Sequence, residues 1–259
     1  MLRRLLERAV RGMVLRRTLP GGFRSQPLFV SPDARLAYLF QSLGKAERRL
    51  LEWARELVGP GEVVWDIGAN CGVFGIASAV LAGPSGSVVA VEPDPFLVDL
   101  LKRSCEALGA HESGFEVVRA AIAEKSGKAS FHVSARGRAA SWLEGSHPST
   151  QAGGSRGANQ VDMVTLDELL RGRRPPTVVK IDVEGSEARV LDGAAQLLGE
   201  VRPTLLIEVS SPVAERVGRI LKSNHYQIFD ARLNPADRTR LDLPVHDTLA
   251  IPGAALADS

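Results

Sequence analysis

Between residues 60 and 210, short apolar runs alternate with longer stretches in which apolar positions recur every three or four residues. The runs VVWD (63–66), VVAV (88–91), FEVV (115–118), VVKID (178–182) and TLLIE (204–208) have the length and β-branched content of strands. Helices are expected over 73–82, 95–108, 186–198 and 213–223. In the segment 186–198, Ala188, Leu191, Ala195 and Leu198 form the stripe that faces a core. Fully apolar strands alternating with such helices predict an α/β fold, with a mostly parallel sheet covered by helices on both faces. Two further runs, HYQIFD (225–230) and DTLAI (247–251), flank a polar, Pro-containing loop. They predict a terminal antiparallel pair.

Residues 1–58 follow another pattern and read as a helical extension, leaving 59–259 as the main domain. GKAERRLLEWAREL (44–57) spaces Leu50, Leu51, Trp53, Ala54 and Leu57 at helical intervals. At the N-terminus, Leu2, Leu5, Leu6, Ala9, Val10 and Met13 share one helical face, and Arg3, Arg4, Arg8 and Arg11 the other. Such a helix packs its leucines on the domain or on a second subunit of a homo-oligomer. Peripheral contact of residues 1–17 with an anionic membrane surface is the alternative. No apolar run approaches the roughly 18 residues of a membrane span. Residues 135–160 are rich in Gly, Ser, Ala and Arg and show little periodicity. They read as a flexible loop long enough to serve as a lid, with Trp142 and Leu143 closing over a substrate.

A formal net charge of +2 and an aromatic content of 5% argue against a nucleic-acid partner, which calls for concentrated basic charge and stacking rings. Cys71 and Cys105 form no CxxC pair, so neither a disulfide framework nor a zinc site is indicated, and a cytoplasmic setting fits. His111, His132, His147, His225 and His246 have no compact ligand spacing. GGSRG (153–157) matches a nucleophile elbow in letters but lacks the strand before it and the helix after it.

The chemistry concentrates in DIGANCG (66–72), which joins the first strand to its helix. A dinucleotide loop needs bare glycine backbone where the pyrophosphate approaches. Here Asn70 obstructs that approach and Asp66 adds negative charge, so NAD is disfavoured. S-adenosylmethionine has no phosphate, and its sulfonium and ammonium groups suit an acidic neighbourhood. Its carboxylate can meet backbone N–H groups or the Asn70 amide. Glu92 ends the second strand in VAVEPDP, where a carboxylate can accept hydrogen bonds from both ribose hydroxyls. The expected cofactor site is Asp66, Gly68, Ala69, Asn70, Gly72 and Glu92, with Ala121 and Ile122 beyond the third strand, and Asp182. Cys71 reads as a packing residue.

Together with TLDELL (165–170), KIDVEGSE (180–187) and LLIEV (205–209), these blocks resemble the FkbM family of S-adenosylmethionine-dependent methyltransferases over roughly residues 60–230. Ser104 stands where the resemblance leads us to expect Asn. The resemblance implies a Rossmann-like, seven-stranded class I methyltransferase sheet, mostly parallel with a C-terminal antiparallel strand. It also implies O-methylation of a hydroxyl on a sugar, polyketide or other small metabolite. Asp182 is expected to act at the chemical step, either receiving the acceptor proton or orienting the donor's ammonium group, with Glu184 and Glu187 as further candidates on the acceptor side. Lys180 shares a strand face with Asp182 and can pair with it. Asp182 and Glu208 could hold Mg²⁺, but no metal is expected. A nucleic-acid methyltransferase and a non-catalytic S-adenosylmethionine-binding module are the competing readings.

Overall fold

The computed structural model describes residues 2–108, 114–146 and 152–253. The N-terminal segment holds the helix Leu2–Ala9 (α1) and an antiparallel ribbon of Leu15–Thr18 (β1) and Pro27–Val30 (β2). The helices Ala37–Phe40 (α2), Leu43–Ala46 (α3) and Arg48–Leu57 (α4) complete it. Next come Val63–Ile67 (β3), Val73–Ala82 (α5), Ser87–Val91 (β4), Pro95–Glu106 (α6) and Gly114–Val118 (β5). Ala121–Ile122 (β6), Gly127–Ser134 (β7), Trp142–Leu143 (β8) and Ser155–Val164 (β9) are short or half-exposed strands. The chain continues through Leu166–Leu169 (α7), Val178–Ile181 (β10), Glu187–Asp192 (α8), Thr204–Glu208 (β11), Ala214–Ser223 (α9), Tyr226–Asp230 (β12) and Asp247–Pro252 (β13).

Seven strands form one sheet in the order β12-β13-β11-β10-β3-β4-β5. Its five central and right-hand strands run parallel, and β13 is antiparallel to both β11 and β12. The terminal antiparallel pair is present, but β13 inserts between β11 and β12. The two faces have separate cores. Alternate strand residues such as Val64, Val88 and Leu206 pack with α4, α5 and α6. Their neighbours Trp65, Val89 and Leu205 pack with α7, α8 and α9. Period-2 alternation in strands apolar on both sides therefore accounts for the layered architecture.

The N-terminal segment differs from the helical extension expected. It contains the β1–β2 ribbon, and it has no separate core: Phe23, Leu28, Tyr38 and Leu43 are buried in the same cluster as α5 and α6. Ser104 accepts a hydrogen bond from Phe29 N (2.9 Å) and so pins β2 to α6. Trp53 Nε1 donates to Ala231 O (2.9 Å), fastening α4 near the end of β12. In and beside α1, Val10 is buried but Leu5 is 55% exposed, so the apolar face is only partly covered by the domain. No helix among the described residues is long and apolar enough to cross a membrane.

Two other expectations need correction. The segment 135–160 is not loop throughout: β8 and the first half of β9 lie in it, within a four-stranded sheet ordered β6-β9-β7-β8. Residues 147–151 lie outside the described residues. Polar residues such as Asn159 and Gln160 mask the strand pattern, because this ribbon keeps one side in solvent. The helix expected over 186–198 is broken after Asp192 and resumes beyond Ala194 as a π-helical turn over Leu197–Val201. A Cβ at Gly193 would fall 2.4 Å from Ala123 O, so the chain turns in close contact with another segment there. Ala194, not Ala195, then enters the core.

Candidate active site

The strand order reverses between β3 and β10, the point in an open α/β sheet where ligands bind at the carboxyl ends of the strands. A cavity of about 250 Å³ opens there. The loop after β3 forms one wall and takes left-handed backbone at Gly68 (φ 75°), Asn70 (φ 53°) and Gly72 (φ 80°). Asn is among the few side chains that tolerate this conformation, and Asn70 Oδ1 caps its own loop by accepting from Cys71 N (2.7 Å). At Gly68 a Cβ would sit 1.8 Å from the Asp182 carbonyl oxygen. The loops after β3 and β10 therefore touch backbone to backbone, which only glycine permits.

Glu92 is buried beside this loop. Its Oε2 accepts from Asn70 N (2.8 Å) and its Oε1 from Asp94 N (2.9 Å). Burial pushes its pKa up to about 8, although both N–H groups oppose the rise. Each oxygen retains acceptor capacity for a ligand in the cavity it lines. Gly68, Ala69, Asn70, Ala121, Ile122 and Asp182 also line that cavity.

Asp66, Gly72 and Glu187 do not line it. The parallel register sets Asp66 beside Lys180, and Asp66 is wholly buried beneath the loop. Its Oδ2 accepts from Gly75 N (3.0 Å) in the first turn of α5, and its Oδ1 faces Lys180 Nζ at 3.2 Å. Lys180 reaches Asp182 Oδ2 at 3.4 Å, so one buried ammonium bridges two carboxylates. Burial works against that charge, but Asp66 and Asp182 outweigh it and hold the Lys180 pKa above its ordinary value. Asp66 thus supports the site through Lys180 and α5. Glu187 accepts from Gly185 N (2.7 Å) and Ser210 N (3.3 Å), tying the loops after β10 and β11 together. Gly72 stands behind the wall, where a Cβ would meet Leu101 Cδ2 at 2.3 Å.

The cavity floor is acidic. Asp182, Glu184 and Glu208 each offer one carboxylate oxygen within 4.8 Å of the others. The Asp182 charge and then burial raise the Glu208 pKa to about 7. Burial, then Asp182 and Glu208, raises that of Glu184 to about 8. Such hard oxygen donors are the type that binds Mg²⁺ or Ca²⁺. Glu208, His246 and Asp247 form a second trio of the same compactness.

Several wall residues went unrecognised in the sequence. Tyr38 donates to Glu47 (2.7 Å), which also pairs with Arg35 (2.8 Å), and all three line the cavity. Arg138 joins Asp94 (2.6 Å) to Asp33 (2.9 Å) and lies 4.5 Å over the Phe96 ring. Nothing periodic marks these positions. Leu143 is in the wall, whereas Trp142 stacks on His132 with ring centroids 5.3 Å apart. Glu208, named from the sequence only as a possible Mg²⁺ partner of Asp182, also lines the cavity; it ends its strand as Glu92 and Asp182 follow theirs.

TLDELL proves structural: Thr165 and Glu168 form a reciprocal capping box at α7. Asp167 accepts from Gln196 N and Leu197 N (both 2.9 Å).

Residues 66–231 match the family model described as the methyltransferase FkbM domain. The chain belongs to the FkbM methyltransferase family. It is 30% identical over 169 residues to the hexuronic acid methyltransferase AglP of Haloferax volcanii, a match spanning 64% of this chain and 62% of AglP. An FkbM methyltransferase structure from Methylobacillus flagellatus superposes with a TM-score of 0.42 at 18% identity, covering 77% of this chain and 50% of that one. Aeropyrum pernix fibrillarin in complex with S-adenosyl-L-methionine gives a TM-score of 0.42 at 14% identity, covering 74% and 66%. The cofactor of this FkbM methyltransferase is S-adenosylmethionine, and the cavity fits it. Glu92 offers two oxygens for vicinal hydroxyls, and the acidic floor suits a sulfonium and an ammonium group. Bound there, the cofactor supplies an already activated methyl group.

Proposed function

We propose that the chain methylates a hydroxyl oxygen of a small polyhydroxylated acceptor, a sugar or a metabolite resembling one. The observation that carries this reading is the convergence of Asp182, Glu184 and Glu208 on the cavity floor. Asp182, joined by Glu208 and Glu184 as they ionise at about pH 7 and about pH 8, repels an acceptor that presents its own carboxylate at the reacting position. These side chains suit hydroxyl groups, which donate hydrogen bonds to them and can lose a proton to one of them. The similarity to a hexuronic acid methyltransferase supports a sugar-like acceptor. Arg35, on another part of the wall with its side chain 52% exposed, could meet an acidic group on such a sugar away from the floor.

In this reading Asp182 takes the hydroxyl proton as the acceptor oxygen bonds the methyl carbon and the carbon–sulfur bond breaks toward sulfur. Holding the two in line can lower the barrier by roughly 7–11 kcal/mol, and the base adds about 10²–10⁴-fold. The test is donor consumption with uronic acids, neutral saccharides and RNA, measured for the wild type and Asp182→Asn. The expected result is turnover with saccharides alone, lowered by about 10²–10⁴-fold in the variant at saturating donor. Equal turnover in the two proteins would remove Asp182 as the base, and turnover on RNA alone would overturn the acceptor class.

A further inference from the structure

We propose that His246, held by Asp247, carries the acceptor's proton out of the site by way of Glu208. This rests on the hydroxyl-methylation reading, because only a hydroxyl acceptor leaves a proton behind at each turnover. Glu208 and Asp247 are register partners on β11 and β13, so the sheet fixes their spacing. Val209 N donates to His246 O (2.7 Å), which pins the histidine backbone alongside Glu208. His246 Nε2 then lies 3.5 Å from Glu208 Oε1, and its Nδ1 lies 3.1 Å from Asp247 Oδ1.

An Nδ1–H donated to Asp247 leaves Nε2 as the acceptor nitrogen of the ring, 3.5 Å from Glu208 Oε1. On the inner side, Glu208 belongs to the carboxylate floor with Asp182 and Glu184. On the outer side, the His246 side chain is 61% exposed. The residues thus run from the floor to solvent in the order Asp182, Glu208, His246, with Asp247 bracing the imidazole.

The proton count closes. One proton leaves the acceptor hydroxyl for a floor carboxylate, Glu208 passes one to Nε2, and the imidazolium gives one to water. The ring then returns to its starting tautomer. With an acceptor filling the cavity, the partly exposed Glu208 side chain has His246 beside it as the base that can take its proton. The charged groups around this path are Lys180, Asp182 and Glu184 near Glu208, and Asp247 with Arg232 (3.9 Å from Asp247) near His246. Burial opposes charge on the imidazole, but Asp247 and Glu208 outweigh it and hold its pKa above the usual value.

The test has two arms. In protein saturated with S-adenosylhomocysteine, the His246 ring is titrated by NMR in the wild type and in Glu208→Gln. Loss of the facing carboxylate should make the ring titrate about one pH unit lower, and identical titrations would overturn the relay. In the kinetic arm, His246→Gln should lower kcat about 10-fold, less than the 10²–10⁴-fold of a direct acid–base group. Donor affinity should stay within about twofold of the wild type, and added imidazole should restore turnover. An active wild type with unchanged kcat in His246→Gln would overturn the relay alone. Failure of the wild type to methylate any hydroxylated acceptor would sink the hydroxyl reading and the relay with it.

Discussion

Gly68→Ala tests whether the loops after β3 and β10 act as one unit. The new Cβ would sit 1.8 Å from the Asp182 carbonyl oxygen, 2.8 Å from its carbonyl carbon and 3.4 Å from Val183 Cγ1. The first two contacts are with backbone, and Asp182 N already donates to Ile67 O at 3.0 Å. No side-chain rotation relieves them, so the loops must part by more than about 1 Å to approach ordinary contact distances. Two costs combine. Left-handed backbone at φ 75° costs an alanine about 1–2 kcal/mol, and forced overpacking adds roughly 1–3 kcal/mol. Gly172→Ala measures the first cost alone, because Gly172 has the same φ of 75° and nothing within 4 Å of its ideal Cβ. At about 2–4 °C per kcal/mol for a protein of this size, Gly68→Ala should lower Tm by roughly 4–20 °C, clearly more than Gly172→Ala. Displacing Asp182 by about 1 Å should also cost about 10²-fold in turnover, whereas Gly172→Ala should leave turnover intact. Calorimetric melting and donor-consumption rates read both effects. Equal Tm shifts in the two variants, with full turnover in Gly68→Ala, would refute the argument that these loops are locked together.

Glu92→Ala should weaken donor binding by about 1.5–3 kcal/mol, the worth of hydrogen bonds to a charged acceptor, as read by titration calorimetry above about pH 8, where Glu92 is ionised; unchanged affinity there would remove Glu92 from the cofactor site. Lys180→Met should destabilise the fold by about 3–5 kcal/mol, because it strands buried Asp66 without its counter-charge, and chemical denaturation would measure this. Glu208 and Glu184, with pKa values raised to about 7 and about 8, are neutral below those values. The kcat/KM profile should therefore fall on the acid side across that interval, and in Asp182→Asn the Glu208 limb should move to lower pH. Glu92 keeps its proton in the fold up to about pH 8 but loses it above about 4.5 when unfolded. The folded state thus binds more protons between those values, and the melting temperature of the unliganded protein should decline as pH rises through them.

The parallel sheet was legible because its strands are apolar on both faces and their spacing admits one layered arrangement. Asp182 and Glu92 were legible because acids at the carboxyl ends of such strands sit at the ligand crevice. The insertion of β13 between β11 and β12 was not, since two edge strands joined by a polar loop fit either order. Asp66 and Glu187 were identified as chemically important acids and assigned the wrong neighbours. Sequence spacing marks a strand-end or helix-start carboxylate, but whether it faces the cavity or turns under the loop depends on partners such as Lys180 and Ser210. Arg138 and Tyr38 were invisible for a related reason. They reach the cavity from a half-exposed ribbon and from the N-terminal segment, and their contacts with Asp94 and Glu47 span 44 and 9 residues.

Which atom receives the methyl group decides whether the carboxylate floor serves a hydroxyl acceptor. Incubation with a donor carrying a ¹³C-labelled methyl group and a uronic-acid-containing saccharide, followed by NMR of the product, locates that atom directly. The carboxylate floor predicts the label as a methyl ether on a ring hydroxyl. Label found as a methyl ester on the uronate carboxylate, or on nitrogen or carbon, would contradict the reading of Asp182, Glu184 and Glu208 as a surface that accepts hydroxyl groups and takes a proton from one.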